Sequence, residues 1–262
     1  LLVERALGGA GARIVVERRL HGEEGSYIVM CDGERVVPLA TSQDHKAALD
    51  NDEGPNTGGM GAYSPAPVLD AGIQQRVLER VVMPTVEGLA AEGAPYRGFL
   101  YVGLMVCGGE PTVLEYNCRL GDPETQPLMA RFDDDIVPYL EGMADGALPR
   151  AAPRWDPRAA VCVVMAAGGY PGPYDKGLPI EGLQAPADGA DDLVVFHAGT
   201  ARSDGGFVTA GGRVLGVTGL GDGVEAARAR AYEAVRRISW PGAHFRTDIA
   251  ARGSARAAAR PS

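Results

Sequence analysis

A long β-hairpin constrains the fold of this chain more than any other feature of its sequence. Residues 98–107 and 110–118 are two runs rich in apolar and aromatic side chains, separated only by Gly108 and Gly109. Two consecutive glycines readily adopt the positive φ angles of the tight turns that join antiparallel strands. The sequence therefore predicts that this segment forms two long antiparallel strands.

The second strand of the hairpin carries polar side chains at alternate positions near its end. Because successive side chains of a strand point to opposite faces, Glu115, Asn117 and Arg119 share one face. A carboxylate and an amide oxygen two residues apart suit a hard cation such as Mg²⁺, whose other ligands are usually phosphate oxygens and water. An isolated Glu-x-Asn pair is also typical of a solvated strand face, so the residues that follow decide between the two interpretations.

Residues 119–126, Arg-Leu-Gly-Asp-Pro-Glu-Thr-Gln, follow that strand directly. The guanidinium of Arg119 presents its N–H donors in a fixed fork, which suits a phosphate or a carboxylate. Asp122 precedes Pro123 and is placed either to cap the next helix or to hold a substrate amine. The segment thus adds two candidate ligand-binding side chains beside the candidate metal site.

A long polar loop between residues 41 and 67 is a second functional candidate. Its centre, residues 54–61, reads Gly-Pro-Asn-Thr-Gly-Gly-Met-Gly, a composition that predicts neither a helix nor a paired strand. Long loops without regular structure are often functional. Glycines also let successive backbone N–H groups approach an anion, so the loop is predicted to bind a group such as a ribose phosphate.

The remaining elements predict an α+β fold. Periodicity indicates strands over residues 13–20, 26–30, 35–40, 159–166, 193–197 and 213–218. Helical spacing indicates helices over residues 70–91, 123–132, 133–145 and 222–238. A stretch rich in Pro, Ala and Arg at residues 149–157 indicates a boundary before a smaller C-terminal α+β domain.

Charge and cysteine content exclude several functional classes. Lys and Arg number 25 against 34 Asp and Glu, so nucleic-acid binding through bulk positive charge is not expected. The sequence has neither a signal-peptide pattern nor an apolar run of the roughly 20 residues that a membrane-spanning helix needs. The four cysteines have no metal-binding or disulfide-scaffold spacing and are expected to be reduced thiols, which predicts a soluble cytoplasmic protein.

Several motifs together resemble one family. Besides residues 119–126, these are Ala-Thr-Ser-Gln-Asp-His-Lys at 40–46, Gly-Pro-Asn-Thr-Gly-Gly-Met-Gly-Ala-Tyr-Ser-Pro at 54–65, Val-Val-Met-Ala-Ala-Gly-Gly-Tyr-Pro-Gly at 163–172, Phe-His-Ala-Gly-Thr at 196–200 and Gly-Gly-Arg-Val-Leu at 211–215. In this order they resemble the glycinamide ribonucleotide synthetases, or phosphoribosylamine–glycine ligases, from about Arg13 to Asp248.

The resemblance implies an ATP-grasp carbon–nitrogen ligase of purine synthesis. In such enzymes ATP lies between two α+β subdomains, its terminal phosphate passes to a carboxylate, and an amine attacks the resulting acyl phosphate. For this family the acid is glycine, the amine is 5-phosphoribosylamine, and the products are glycinamide ribonucleotide, ADP and phosphate. The resemblance further implies Mg²⁺ or Mn²⁺ as cofactor, small-molecule substrates without a nucleic-acid or membrane partner, and a monomer for the complete enzyme.

Site residues follow from the same resemblance. It assigns the metal to Glu115 and Asn117 and a catalytic role to Arg119 and Asp122. For ATP it implies Glu17, Arg18, Leu20 and the ribose-binding Glu24. For the other substrates it implies Asp44, Lys46, Asn56, Thr57, Gly58, Gly59, Met60 and Gly61. Arg18 and Arg19 depart from the family pattern, which usually has an acidic and an aromatic residue there, and His45, His197 and the cysteines are expected in core or surface roles.

The predicted organisation is a partial ATP-grasp fold followed by the small C-terminal domain. Residues 1–22 are expected to be a remnant of the lid subdomain with the hinge strand, 23–154 the main ATP-grasp subdomain, 155–251 the C-terminal domain and 252–262 a disordered tail. The chain is expected to be N-terminally truncated and incomplete for catalysis alone. Two alternatives stay open: a catalytically silent nucleotide-binding module acting with a separate N-terminal half, and an ATP-grasp ligase for another carboxylate.

Overall fold

Thirteen strands and six α-helices form among residues 14–183 and 192–258, which are those that the computed structural model describes. The strands are β1 Glu23–Asp32, β2 Val36–Pro38, β3 Gln43–Asp44, β4 Ala47–Leu49, β5 Glu53–Asn56, β6 Gly61–Ser64, β7 Arg97–Cys107, β8 Glu110–Asn117, β9 Ala159–Ala166, β10 Leu193–His197, β11 Thr200–Ser203, β12 Gly206–Thr209 and β13 Arg213–Gly221. The helices are α1 Ala71–Val77, α2 Met83–Ala91, α3 Thr125–Arg131, α4 Val137–Asp145, α5 Val224–Val235 and α6 Ala251–Ala258. A π-helical turn, Leu78–Val82, joins α1 to α2, and a 3₁₀ turn, Asp50–Asp52, follows β4.

The first sheet has four antiparallel strands in the order β2-β1-β7-β8. Both of its faces are covered, since alternate residues of β1 enter two different cores. Tyr27 and Val29 pack with the α1–α2 region, whereas Ile28 and Met30 pack with residues of α3 and α4. A strand buried on both faces is apolar nearly throughout, which is why β1 reads as a continuous apolar run rather than an alternating one.

The second sheet joins the two halves of the chain. Its five antiparallel strands lie in the order β10-β13-β9-β6-β3, and helix α5 covers it with Ala227, Ala231 and Val235. Strands β3 and β6 come from the polar loop region, while the other three lie after residue 158. The predicted domain boundary between residues 154 and 155 stays a prediction, but this sheet contains strands from both sides of it. The loop between β3 and β6 is anchored on the later part of the chain through β6, which pairs with β9.

Most of the predicted elements are confirmed. The hairpin is β7–β8, and Gly108 and Gly109 at its turn have φ angles of 58° and 86°. Strands at 26–30, 159–166 and 193–197 and the helices after residues 70, 123, 133 and 222 are present with small shifts of their bounds. The β11–β12 hairpin is an element that the periodicity did not predict.

Three local predictions are wrong. The strand expected over 13–20 is not formed in its described part, where Val15 and Val16 are each 85% exposed and no described strand pairs with them; β-branched residues favour a strand only when a partner covers them. Within 54–61, expected to be unpaired, β5 pairs with β4 because Pro55 is tolerated in a two-stranded edge ribbon. Residues 252–258, expected to be disordered, belong to α6, since Ala and Arg are good helix formers.

Within the described residues, every helix is too short or too polar to span a bilayer. The last four residues, 259–262, and residues 1–13 lie outside the described part of the chain, so the predictions for the lid remnant and the extreme tail rest on sequence there.

Candidate active site

Three side chains from separate elements meet over one face of the first sheet. The ammonium Nζ of Lys46 lies 3.3 Å from Oε2 of Glu24 and 3.8 Å from Oε1 of Glu115. Strand β7 lies between the two strands that carry the glutamates. Its Met105 pairs with Glu24 of β1 and its Gly103 with Glu115 of β8. Because Gly103 and Met105 are two residues apart on β7, both glutamates lie on the same face of the sheet. The structure thus brings together a residue predicted for ATP, one for substrate and one for metal.

Asn117 lies beside Glu115 on β8, as the alternation predicted. Its Nδ2 donates to Oε1 of Glu115 at 3.3 Å. Gly103 leaves room for this pair, because a Cβ on that residue would lie 3.1 Å from Cγ of Glu115. The pair offers two oxygen donors of the type that Mg²⁺ prefers, which fits a cation completed by phosphates and water. The described residues hold no group of three His, Cys, Asp or Glu side chains arranged for a metal ion.

Asp44 adds a further carboxyl group to this cluster. Burial raises its pKa to about 7, helped by the charges of Glu124 and Glu24 and opposed by Lys46. Burial alone would lower the pKa of Lys46, but Asp44, Glu24 and Glu115 together raise it above its ordinary value. The cluster therefore combines a firmly protonated ammonium with a carboxyl group that changes charge near neutral pH.

The raised pKa of Asp44 predicts a pH-dependent stability. An acid whose folded pKa lies above its unfolded value of about 3.9 contributes stability at low pH that is lost as the pH rises towards 7. We expect the melting temperature to fall between about pH 5 and pH 8 by roughly 5–10 °C more in the wild type than in Asp44→Asn. Asp145→Asn, at the exposed end of α4, is the control and should leave the wild-type slope unchanged. An equal dependence of the melting temperature on pH in the wild type and Asp44→Asn would contradict the raised pKa of Asp44.

A polar cavity of about 170 Å³ opens beside the cluster. Its walls include Glu24, Asp44, Lys46 and Asn56 of the predicted set, and also His45, Asp52 and Arg252, which were not predicted as site residues. His45 is only 8% exposed, as expected of a core residue, but its Nδ1 has no hydrogen-bond partner. Burial lowers its pKa to about 4, so the ring is neutral at the wall of the cavity.

The glycine-rich loop does not offer free backbone donors. Four successive N–H groups already donate within the protein: Thr57 to the Lys46 carbonyl at 2.7 Å, Gly58 to the Tyr170 hydroxyl at 3.2 Å, Gly59 to Thr57 Oγ1 at 2.9 Å and Met60 to the His45 carbonyl at 2.7 Å. Anion binding by these four amides would require them to leave or share their present acceptors, so it stays a prediction. The Met60 side chain is fully buried in a core cluster with residues of the second sheet, so any substrate contact of Met60 would have to come from its backbone.

Close packing explains the glycines instead. Gly59 has a φ of 114°, and a Cβ there would overlap Cδ of Pro123. At Gly61, in β6, a Cβ would lie 2.7 Å from the carbonyl oxygen of Cys162 on β9. The loop thus needs glycines to approach the 119–126 segment and the second sheet, and this approach is what places Asn56 and Thr57.

Gly59→Ala is expected to lower the free energy of unfolding by about 1–3 kcal/mol, because the added methyl group meets a proline ring and the backbone has a positive φ. Gly205→Ala is the matched control, since a Cβ there meets nothing within 4 Å. Urea unfolding of the two variants measures the difference. Equal stability of the two variants would show that the loop relaxes freely and is not fixed against Pro123.

Asp122 is oriented but does not cap the next helix. Its Oδ2 accepts from Nη2 of Arg213 at 2.8 Å and its Oδ1 from Nε2 of Gln126 at 3.0 Å. The capping alternative is wrong, because α3 begins after Glu124 and has no side-chain cap. Arg119 is exposed, and its Nη1 donates to the Leu120 carbonyl at 2.9 Å.

The predicted ATP residues are only partly assembled. Glu24 lies at the cavity, whereas Glu17 and Arg18 are exposed and Leu20 is half-buried in the irregular stretch before β1. Arg213 and Tyr170, which hold the loop, lie more than 100 residues after it in the sequence and were not predicted as site residues. Their only sequence signal is the motifs at 163–172 and 211–215, which do not reveal what they contact.

Comparison with known families and proteins agrees with these features. Residues 1–125 match the family "Phosphoribosylglycinamide synthetase, ATP-grasp (A) domain", and residues 160–252 match "Phosphoribosylglycinamide synthetase, C domain". Phosphoribosylamine–glycine ligase of Vibrio parahaemolyticus is 54% identical over 257 residues, and that of Pseudomonas aeruginosa 55% over 257. In both cases the match covers 98% of this chain and 59% of the relative, so the chain spans less than two thirds of their length.

Solved structures give the same result for the fold. Phosphoribosylamine–glycine ligase of Thermotoga maritima superposes with a TM-score of 0.77 at 38% identity, covering 89% of this chain and 57% of that one. The biotin carboxylase domain of Hydrogenobacter thermophilus 2-oxoglutarate carboxylase, in complex with MgADP, ADP and bicarbonate, has a TM-score of 0.61 at 16% identity, covering 85% and 47%. The second likeness concerns the fold alone.

Proposed function

Since this chain belongs to the phosphoribosylglycinamide synthetase family and has the α+β ATP-grasp fold, we propose that it takes part in the ATP-dependent ligation of glycine to 5-phosphoribosylamine. A carboxylate oxygen of glycine attacks the terminal phosphorus of ATP and ADP leaves. The amine nitrogen then attacks the glycyl carbonyl carbon, and phosphate leaves as the nitrogen loses a proton. The products are glycinamide ribonucleotide, ADP and phosphate.

The observation that supports this proposal most strongly is the meeting of Lys46, Glu24 and Glu115 over one face of the first sheet. Glu24 has carboxylate oxygens that suit ribose hydroxyl donors. The Lys46 ammonium is available to phosphate or carboxylate oxygens at the wall of the cavity. One site thus provides acceptors for a sugar and a donor for an anion.

Glu115 and Asn117 are the proposed ligands of a divalent cation. ATP-grasp ligases use ATP with divalent metal ions, and the carboxylate–amide pair suits Mg²⁺ or Mn²⁺. When bound, the cation screens the charges of the phosphates during transfer. Lys46 then remains as the cation of the cluster that the protein itself supplies, and its raised pKa keeps it charged.

Asp122 and Arg119 are proposed to act on the acceptor side. Asp122 is oriented by two hydrogen bonds and keeps acceptor capacity for an N–H or O–H group of the substrate. Arg119, exposed at the end of β8, is free to turn towards a phosphate. Asp44 is proposed to contact glycine or the phosphoribosyl group from the cavity wall.

The substrate assignment is tested by ADP release from the protein carrying this chain, with ATP, 5-phosphoribosylamine and one carboxylate at a time. Glycine should support turnover, and alanine should be poorer by about tenfold or more because it adds a methyl group in a confined site. Equal rates with unrelated carboxylates would point to another ATP-grasp ligase. ATP binding without ADP release under any of these conditions would point instead to a silent nucleotide-binding module.

A further inference from the structure

A single guanidinium connects the glycine-rich loop to the 119–126 segment. Nη1 of Arg213 donates to the carbonyl oxygens of Gly58 at 2.7 Å, Gly59 at 3.3 Å and Asp122 at 2.7 Å. Its Nη2 donates to Oδ2 of Asp122 at 2.8 Å. Arg213 opens strand β13, far from both segments in the sequence. Its side chain therefore links two parts of the candidate site that lie far apart in the sequence, in addition to the packing of Gly59 on Pro123.

On the loop, Arg213 acts together with a second distant residue, Tyr170. The Tyr170 hydroxyl accepts from the N–H of Gly58 at 3.2 Å, while Arg213 donates to the carbonyl oxygens of Gly58 and Gly59. A Cβ on Gly58 would lie 2.9 Å from Cζ of Arg213, so the guanidinium packs directly on the loop backbone. This part of the loop is thus fixed through β13.

On the other side, Arg213 orients a carboxylate that stays accessible. The Asp122 side chain is 53% exposed although Arg213 and Gln126 each donate to one of its oxygens. A carboxylate has about four acceptor positions, so two remain for a ligand. The Arg213 side chain is itself only 21% exposed and has no free face comparable to that of Asp122. Ligand contact therefore falls to Asp122 and the orientation to Arg213.

We propose that Arg213 is a positioning residue for the acceptor-substrate end of the site. It holds the Asp122 carboxylate and the turn at Gly58 and Gly59 in one fixed relation, so that a ligand with amine or hydroxyl donors meets a preformed acceptor. Glu24, the predicted ATP residue at the cavity, makes no hydrogen bond with Arg213, whose partners are Gly58, Gly59 and Asp122. This inference rests on the proposed function for the identity of the ligand, and on geometry alone for the positioning.

The first test needs no ligand. Amide hydrogen exchange is measured at Gly58, Gly59 and Met60 in the wild type, Arg213→Ala and Arg213→Lys. We expect exchange to be about tenfold faster in Arg213→Ala and intermediate in Arg213→Lys. A lysine ammonium cannot reproduce the hydrogen bonds that the planar guanidinium makes to four acceptor atoms. Arg236→Ala, an exposed arginine at the end of α5, is the control and should match the wild type. Unchanged exchange in Arg213→Ala would overturn the positioning role.

The second test measures the affinity for two probes by calorimetry, glycinamide ribonucleotide for the acceptor end and ADP with Mg²⁺ for the nucleotide end. Arg213→Ala should bind glycinamide ribonucleotide about 10- to 100-fold more weakly, with ADP affinity within about twofold. Arg213→Lys should recover part of the loss. Equal loss of affinity for both probes in Arg213→Ala would indicate a merely structural role and would overturn the inference. An Arg213→Lys variant that matches the wild type in both tests would overturn it as well. If the wild type binds ADP but no glycinamide ribonucleotide, the proposed function fails while the exchange experiment still decides the positioning role.

Discussion

Glu115→Gln is expected to lower the rate of glycine-dependent ADP formation by roughly 10²–10³-fold and to raise the Mg²⁺ concentration needed for half-maximal rate. The substitution keeps the shape of the side chain but removes the negative charge that, with Asn117, is proposed to hold the cation. It also removes one of the two carboxylates that pair with Lys46. Because the Glu115 side chain is half exposed, the fold should be unaffected.

Glu110→Gln is the matched control for this experiment. Glu110 lies at the other end of the same strand, is 66% exposed, and pairs with Arg76 and Arg80 rather than with the cluster. Its substitution should leave the rate and the Mg²⁺ dependence within about twofold of the wild type, as expected of a surface ion pair. Unchanged activity and Mg²⁺ dependence in Glu115→Gln would remove this residue from the metal site.

Arg246→Met is expected to lower the free energy of unfolding by about 3–5 kcal/mol. Its side chain is 0% exposed and pairs with Asp248 at 2.7 Å and with Asp52 at 3.0 Å. Nη1 also donates to the Ala47 carbonyl at 3.1 Å. Methionine fills a similar volume but removes the guanidinium that pairs with Asp248, while Asp52 keeps only its second partner, Arg252. Urea unfolding measures the loss, and Arg237→Met, which breaks an exposed ion pair between the turn after α5 and Glu233, should cost less than about 1 kcal/mol.

The ion pairs of Arg246 also predict how the stability lost in Arg246→Met depends on pH. Burial would raise the pKa values of Asp52 and Asp248, but both stay below the ordinary range. Hydrogen bonds and charge from Arg246 and Arg252 lower the pKa of Asp52, and Arg246 together with the Asn51 N–H lowers that of Asp248. Acids with a lowered folded pKa contribute stability above their unfolded value of about 3.9, and this stability is lost as the pH falls through the folded values. The gap between Arg246→Met and the wild type should therefore narrow below about pH 4. A gap independent of pH would mean that packing rather than charge supports Arg246.

The sequence predicts those features of the fold and the site that depend only on residues close together in the chain. Glu115 and Asn117 lie side by side because alternation along one strand places them there. The turn at Gly108 and Gly109 follows from glycine's tolerance of positive φ. Both properties depend on residues only a few positions apart, so they are visible without the tertiary fold.

Other features depend on partners that are distant in the sequence. The expected strand near Val15 is not formed because no described strand covers it. The amides of the glycine-rich loop are engaged by Tyr170 and by carbonyls of residues 45 and 46, which composition cannot reveal. Lys46 reaches both glutamates only because β1 and β8 flank the same strand, β7. Arg213 and Arg246 likewise lie far along the chain from the loops that they hold.

The proposed function requires that a carboxylate oxygen of glycine is activated by phosphate transfer at the site formed by Lys46, Glu24, Glu115 and Asn117. The most direct test is to run the reaction of the protein carrying this chain with glycine labelled with ¹⁸O in its carboxylate and to analyse the phosphate by mass spectrometry. An acyl phosphate intermediate transfers one labelled oxygen to each phosphate released, with one glycinamide ribonucleotide formed alongside. Glycinamide ribonucleotide formed together with unlabelled phosphate would contradict the account.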